Sequence, residues 1–148
     1  MIVTFCGHRD FRKTSASEKL LSELLEGYAQ RNERLVCYNG GSGNFDLFAA
    51  ECVKNLQKRF TNIRNCLVIP YIYPEFLERI NILLNEYFNE TFYPSLERVP
   101  LKYAIIRRNE WMIDNADVLF ACVRRSWGGA AQTLEYARQR KKIIEYLP

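Results

Sequence analysis

Three short segments of the sequence combine glycine with basic or polar residues in a pattern suited to binding an anion. They are Gly7-His8-Arg9-Asp10, Asn39-Gly40-Gly41-Ser42-Gly43-Asn44 and Arg124-Arg125-Ser126-Trp127-Gly128-Gly129. Five of the seven glycines lie in the second and third segments. Glycine lets a backbone approach a ligand closely, and a helix that begins directly after such a segment points free N–H groups at an anion. For the second segment, a turn that needs positive φ angles is the alternative.

Two interpretations are considered for the polar residues in and near these segments: they bind a ligand, or they stabilise the fold. His8 is the only histidine, and Arg9 beside it either contacts a ligand or forms a structural ion pair. Asp46, in the first turn of a predicted helix, either accepts hydrogen bonds from ribose hydroxyls or interacts with the helix dipole. Neither glycine-rich segment matches a Walker A or G-x-G-x-x-G motif, so classical ATP hydrolysis and dinucleotide redox chemistry are unsupported.

A predicted helix over about 101–115 carries two further candidates. Its apolar arc has Asn109 at the centre and Arg108 at the margin, where a long side chain can run along the core and deliver its guanidinium to an edge of the sheet. The apolar members of the arc are Ile105, Ile106, Met112, Ile113 and Ala116. Polar residues in these places predict either a binding site or a satisfied structural network.

The elements that must position these residues follow from the spacing of apolar runs. Continuously apolar runs at 2–6, 35–38, 66–70, 117–123 and 142–147 predict strands buried on both faces. Helical patterns lie between them, the last over about 129–141. We therefore expect an α/β fold, a Rossmann-like three-layer sandwich whose parallel sheet of about five strands has the order 3-2-1-4-5. The segment 71–100 breaks the alternation and predicts a helical insertion at one rim.

Composition predicts one globular domain over residues 1–148 and excludes several classes of protein. No apolar run is long enough for a membrane span and the N-terminus lacks a secretory signal, so we expect a cytoplasmic protein. The five scattered cysteines and single histidine disfavour disulfides and a metal site. The net charge of +4 is mild, and the basic run at 138–142 fits a helix end better than a nucleic-acid patch.

The combined motifs resemble those of the SLOG superfamily, the Rossmann-like group that includes YpsA-like proteins, the DNA-processing A domain and the LONELY GUY phosphoribohydrolases. The resemblance covers most of the chain and looks closest to the YpsA-like branch. It rests on Gly7-His8-Arg9, on Gly40-Gly41-Ser42-Gly43 with Asp46, on Arg108 with Met112 and Asp117, and on Gly128-Gly129 with Glu135.

The resemblance implies ligand binding at the carboxyl ends of the strands, and in the enzymes of the group it implies N-glycosidic hydrolysis. Arg108 and Glu135 match the two catalytic positions of those enzymes, whereas Ala131 and Gln132 depart from their glycine-rich motif. Glu135 also has a structural alternative, an ion pair with Arg138 one helical turn away. The departures weaken catalysis more than binding.

We therefore expect a protein that binds a nucleotide or nucleotide-derived ligand, such as an ADP-ribose-like molecule, without a cofactor. A phosphoribohydrolase acting on a nucleoside monophosphate and a single-stranded DNA-binding protein are the alternatives. A homodimer is considered by analogy with relatives. The residues expected to bind the ligand are Gly7, His8, Arg9, Gly40, Gly41, Ser42, Gly43, Asn44, Asp46, Arg108, Asn109, Trp127, Gly128, Gly129 and Thr133.

Overall fold

The computed structural model describes all 148 residues and alternates strands with helices along the chain. The strands are β1 (Ile2–Gly7), β2 (Leu35–Asn39), β3 (Ile63–Val68), β4 (Glu90–Phe92), β5 (Val118–Cys122) and β6 (Ile143–Tyr146). The helices are α1 (Ser15–Arg31), α2 (Asn44–Leu56), α3 (Pro74–Tyr87), α4 (Ala104–Asn115) and α5 (Gly129–Gln139), with a short 3₁₀ turn at Leu101–Tyr103 before α4.

All six strands pair in parallel in one sheet, in the order β4-β3-β2-β1-β5-β6. The order predicted for the five apolar strands is therefore confirmed. The chain runs outward from β1 to β4 and then returns to β5 on the other side of β1. This reversal makes the carboxyl ends of β1 and β5 the topological switch point, where open α/β sheets bind their ligands.

The segment 71–100 is not simply a helical insertion, as the sequence predicted. Its helix α3 leads into β4, which pairs in parallel with β3 through Cys66 and Glu90, Leu67 and Thr91, and Val68 and Phe92. Residues 74–92 are thus one more helix-strand unit that extends the sheet. The strand escaped detection because it is three residues long and lies at the edge, where it needs no continuous apolar run.

The core lies on both faces of the sheet. The larger cluster joins α1 and α2 to β1, β2 and β5, and includes Phe45 and Phe120. A smaller cluster joins α4 and α5 to the opposite face through Ile113 and Leu134. Since α3 packs beside α2, three helices cover one face and two cover the other.

Helix α4 buries a different stripe from the predicted one. Its enclosed positions include Ala104, Arg108 and Met112, spaced four residues apart, whereas Ile105 and Ile106 are exposed. The prediction that Arg108 lies at the margin of the apolar arc is therefore wrong, because residues at i, i+4 and i+8 follow one face of a helix. The guanidinium of Arg108 is therefore buried against the sheet together with its aliphatic stem.

No helix is long and apolar enough to cross a membrane. All five cysteines are buried and free. No group of three or more histidine, cysteine, aspartate or glutamate side chains is placed to hold a metal ion.

We predict that Gly7→Ala destabilises the fold, since Gly7 ends β1 directly beneath the ring of Phe45. A methyl group at this position would overlap the ring's carbon atoms. Overpacking of this kind costs about 1–3 kcal/mol, a fall in Tm of roughly 2–10 °C for a chain of this size. The matched control is Gly129→Ala, where nothing lies within 4 Å of the added methyl. Equal melting temperatures for the two variants would contradict the prediction.

Candidate functional site

The three predicted segments converge on one cavity of about 270 Å³ at the carboxyl ends of β1, β2 and β5. This volume is at the small end of the range for ligand pockets, roughly 300–1,000 Å³. Most of the residues expected to bind a ligand line it: Gly7, His8, Arg9, Ser42, Asp46, Arg108, Asn109, Trp127, Gly128, Gly129 and Thr133.

Arg108 forms part of the cavity wall and is 1% exposed. One terminal nitrogen donates to the carbonyl oxygens of Gly40 and Val68 at 3.0 and 2.9 Å, and Nε donates to Asn109 Oδ1 at 2.9 Å. The other terminal nitrogen lies 3.5 Å from Ser42 Oγ. Burial lowers the pKa of Arg108 to about 10, so the guanidinium stays charged at neutral pH. Arg108 thus ties the loop after β2 to the end of β3.

The loop after β2 turns its backbone amides toward the protein. Gly41 N donates to Asn39 Oδ1 at 2.7 Å, Ser42 N donates to Asp46 Oδ2 at 2.9 Å, and Asn44 N donates to the Arg9 carbonyl at 3.1 Å. Positive φ angles at Gly41 and Gly43 produce this conformation. The alternative role for this segment, a turn that needs positive φ, is therefore present, and these three amides are not free to hold a phosphate.

Asp46 is the only carboxylate in the cavity lining. It lies in the first turn of α2 and is half-buried. Burial raises the pKa of its carboxyl group to about 6, against the opposing effects of the Ser42 amide and the guanidiniums of Arg108 and Arg9. Its Oδ2 accepts the Ser42 amide, while no protein group donates to Oδ1. Asp46 therefore offers the cavity a hydrogen-bond acceptor.

The start of α5 offers the cavity hydrogen-bond donors. Gly128, with a φ of 93°, precedes the helix, and no side chain caps the first turn. The amides of Gly129, Ala130 and Ala131 have no protein acceptor, and Gly128, Gly129 and Ala130 line the cavity. Free amides at a helix N-terminus attract anions.

Trp127 stands beside this helix start with 66% of its surface exposed. The guanidinium of Arg125 lies 4.6 Å from the centre of its ring, within the range of a cation–π contact. Arg125 is in turn held by Asp10 through two hydrogen bonds of 3.2 and 3.1 Å. The indole is thus a largely exposed part of the cavity lining.

His8 links the loops after β1 and β5. Its Nε2 accepts the backbone amides of Arg124 and Arg125 at 2.9 and 3.3 Å. Burial, followed by the charges of Arg125 and Arg124, lowers the pKa of His8, which keeps the imidazole neutral and able to accept. Arg9, its neighbour, makes no salt bridge and no side-chain hydrogen bond, so the structural ion pair considered for it is not formed.

Four of the residues expected to bind the ligand lie outside this cavity's lining, and so does Glu135. Gly40 and Gly41 line a smaller cavity on the other side of Arg108. Gly43 packs against Arg9, and the side-chain amide of Asn44 donates to the carbonyl oxygen of Phe11. Glu135 lines a neighbouring groove between α4 and α5 and pairs with Arg138 at 3.7 Å. The ion pair considered for Glu135 is therefore formed, and Arg108 and Glu135 line different cavities.

Sequence reasoning missed Arg125 as a lining residue. The available signal was its place two residues before Trp127 in the third glycine-rich segment. It also missed lining residues contributed by consecutive positions of β1, by α4 and by the start of α5. These additional residues are Phe5, Cys6, Ile105, Met112 and Ala130.

No model of a protein family matches the sequence, and no curated protein is significantly similar to it. Solved structures do match. DNA processing protein A from Helicobacter pylori, described by its single-stranded DNA binding mode, aligns with 100% of this chain at 19% identity and a TM-score of 0.64. DNA processing protein A from Streptococcus pneumoniae aligns with 99% of the chain at 18% identity and a TM-score of 0.64.

The Moco carrier protein of Chlamydomonas rheinhardtii aligns with 99% of the chain at 14% identity and a TM-score of 0.50. The chain spans 65% and 50% of the two DNA processing proteins and 74% of the Moco carrier. These likenesses establish the fold, a Rossmann-like α/β fold with a parallel sheet between helices. The chain is an α/β protein of that type with a cavity at its switch point.

Proposed function

We propose that this protein binds a nucleotide or nucleotide-derived ligand, with a phosphate at the start of α5. The observation that carries the proposal is the set of unpartnered amides at Gly129, Ala130 and Ala131, beside a cavity that Arg9 also lines. Helix amides and a nearby guanidinium are the groups that bind phosphate oxygens in proteins. Three amides after β2, those of Gly41, Ser42 and Asn44, already have protein acceptors, and the carboxylate of Asp46 lies in the first turn of α2, so α5 is favoured as the anion-binding end.

The opposite end of the cavity favours a ligand group that donates hydrogen bonds. Asp46 Oδ1 has no donor within the protein, and Ser42 also lines the cavity. Ribose hydroxyls are donors of the right kind. A ribosyl phosphate that extends from Asp46 to α5 would therefore satisfy both ends, with Trp127 as a stacking surface for an aromatic base.

The arrangement supports binding better than N-glycosidic hydrolysis. Cleavage of that bond requires a carboxylate to stabilise an oxocarbenium-like state and activate water at the sugar. Glu135 lines a neighbouring groove and is paired with Arg138, whereas Arg108 has one terminal nitrogen engaged with two backbone carbonyls and its Nε with Asn109. The two residues of the hydrolase alternative are thus not assembled around one sugar.

Arg9→Met is expected to weaken ligand binding without changing the stability of the free protein. Methionine keeps the stem that packs on Gly43 but removes the charge. The assay is thermal shift and calorimetry with the four ribonucleoside monophosphates and ADP-ribose. At least one should stabilise the wild type, and the variant should bind it about tenfold or more weakly, because a charge-assisted hydrogen bond contributes about 1.5–3 kcal/mol.

Arg34→Met is the matched control, since Arg34 is an exposed arginine at the opposite, amino edge of the sheet. It should bind like the wild type. Absence of stabilisation by every compound in the panel would contradict the proposed function, and equal losses in the two variants would show only a general charge effect.

Single-stranded DNA binding is a second candidate, favoured by the exposed Trp127 beside Arg125 and by the further exposed arginines Arg12 and Arg124. Proteins that hold single strands combine stacking aromatic side chains with a basic track for the backbone. The Helicobacter pylori relative binds single-stranded DNA. Anisotropy with a labelled oligothymidine tests this candidate, which requires affinity that falls steeply with salt.

A further inference from the structure

A second cavity of about 290 Å³ lies on the other side of His8 and Arg125 from the candidate ligand cavity. His8 and Arg125 line both cavities and form their common wall. The second cavity also takes in Arg12 and Arg124, from the loops after β1 and β5. It therefore opens at the same edge of the sheet as the first.

The charges around this second cavity are strongly one-sided. Three arginines line it, and Asp10 is the only carboxylate. Asp10 is engaged with Arg125. Arg12 and Arg124 make no salt bridge and their guanidiniums donate no hydrogen bond to the protein. Their potential is therefore not neutralised by the protein itself, and a basic cleft of this kind concentrates anions.

The common wall is fixed in place. The imidazole of His8 accepts two successive backbone amides, and the guanidinium of Arg125 is held by both oxygens of Asp10. Because Arg124 lies two residues after the end of the strand β5 and its amide donates to His8, its backbone has little freedom. The basic side chains thus project from an anchored loop rather than from a free one.

We propose that this second cavity is a subsite for a second phosphoryl group, bound by Arg12 and Arg124 while the first phosphate lies at α5. The inference rests on the proposed function and extends it: the ligand is a molecule with two phosphoryl groups that crosses the outer rim of the wall formed by His8 and Arg125, since both cavities open at the same edge of the sheet. The second phosphate has two sources, the β-phosphate of a nucleoside diphosphate and the next nucleotide of a single strand.

The experiment compares each of the four ribonucleoside monophosphates with its own diphosphate by isothermal titration, using the wild type, Arg12→Ala and Arg124→Ala. Wild type should bind the preferred diphosphate at least about tenfold more tightly than the monophosphate, the gain from one charge-assisted contact. Each variant should lose most of that preference while its affinity for the monophosphate stays unchanged. Arg34→Ala is the charge-matched control and should keep the preference.

A short oligothymidine forms the second arm of the experiment. If the variants weaken oligothymidine binding about tenfold and the diphosphate shows no preference, the second phosphate belongs to a nucleic-acid strand, and the subsite still stands. Equal affinity for monophosphate and diphosphate, with oligothymidine binding unaffected in both variants, would overturn the subsite and leave the proposed function intact. No binding of any monophosphate, diphosphate or oligothymidine would overturn both.

Discussion

Arg108→Ala is expected to lower the free energy of unfolding by about 3–5 kcal/mol, the cost typical of removing one partner from a buried charged network. The residue is 1% exposed and donates to the carbonyls of Gly40 and Val68. Alanine would leave those two oxygens without donors and open a cavity beneath the loop after β2. Unpaired buried acceptors and lost packing both destabilise the native state.

Urea unfolding followed by circular dichroism measures this loss, and Arg108→Met separates its two causes. Methionine fills much of the space but donates no hydrogen bond. It should recover the packing part and leave about 1–3 kcal/mol of the loss, the cost of the unpaired carbonyls. A loss below about 1 kcal/mol in Arg108→Ala would show that water replaces the guanidinium freely, and Arg108 would then not be the tie between β2 and β3.

The sheet could be predicted because strands that are buried on both faces are apolar at nearly every position. Runs such as 2–6 and 117–123 are apolar at nearly every position, which a parallel sheet covered by helices requires. The order followed from right-handed crossovers and from the glycine segments at the switch point. The strand β4 was missed for the reverse reason: Glu90–Phe92 is an edge strand with no apolar signal of its own.

The site was predictable in its location and less so in its detail. Glycine segments after β1, β2 and β5 were enough to place the cavity, since topology brings those strand ends together. The directions of the individual amides could not be predicted, because the acceptors of the Gly41 and Ser42 amides are side chains that only the folded turn brings into range. The same applies to Arg108, whose depth depends on which face of α4 the sheet covers.

Glu135 shows the limit of motif spacing. Its separation from Gly128 matches the glycosidase pattern, but spacing along a helix fixes only the face on which a residue lies. In this chain that face opens onto the groove between α4 and α5, where Arg138 pairs with it. Gly128 and Gly129 line the cavity, whereas Glu135, the carboxylate that the motif pairs with them, does not.

Asp46→Asn is expected to stabilise the protein at pH 7 and to weaken ligand binding at the same time. Burial raises the pKa of the Asp46 carboxyl from 3.8 to about 6. Between those two pH values the native state binds more protons than the unfolded chain, so stability falls as pH rises. The full penalty, about 3 kcal/mol, is present above pH 6.

Asparagine removes this penalty without disturbing the turn, since its carbonyl oxygen can still accept the Ser42 amide, as Asp46 Oδ2 does at 2.9 Å. The Tm of Asp46→Asn at pH 7.5 should therefore exceed that of the wild type by several degrees. At pH 4 the difference should nearly vanish, because the wild-type carboxyl is then protonated in the native state. Melting curves at the two pH values measure both effects.

Binding gives the second half of the test. The amide nitrogen of the variant would be a donor where Asp46 Oδ1 is an acceptor, so a ribose hydroxyl would meet a donor instead of a partner. Affinity for the nucleotide that stabilises the wild type should fall by about tenfold or more. Both effects together would show that this carboxylate lowers stability and serves binding. A variant that gains stability and binds the nucleotide as tightly as the wild type would remove Asp46 from the ligand site.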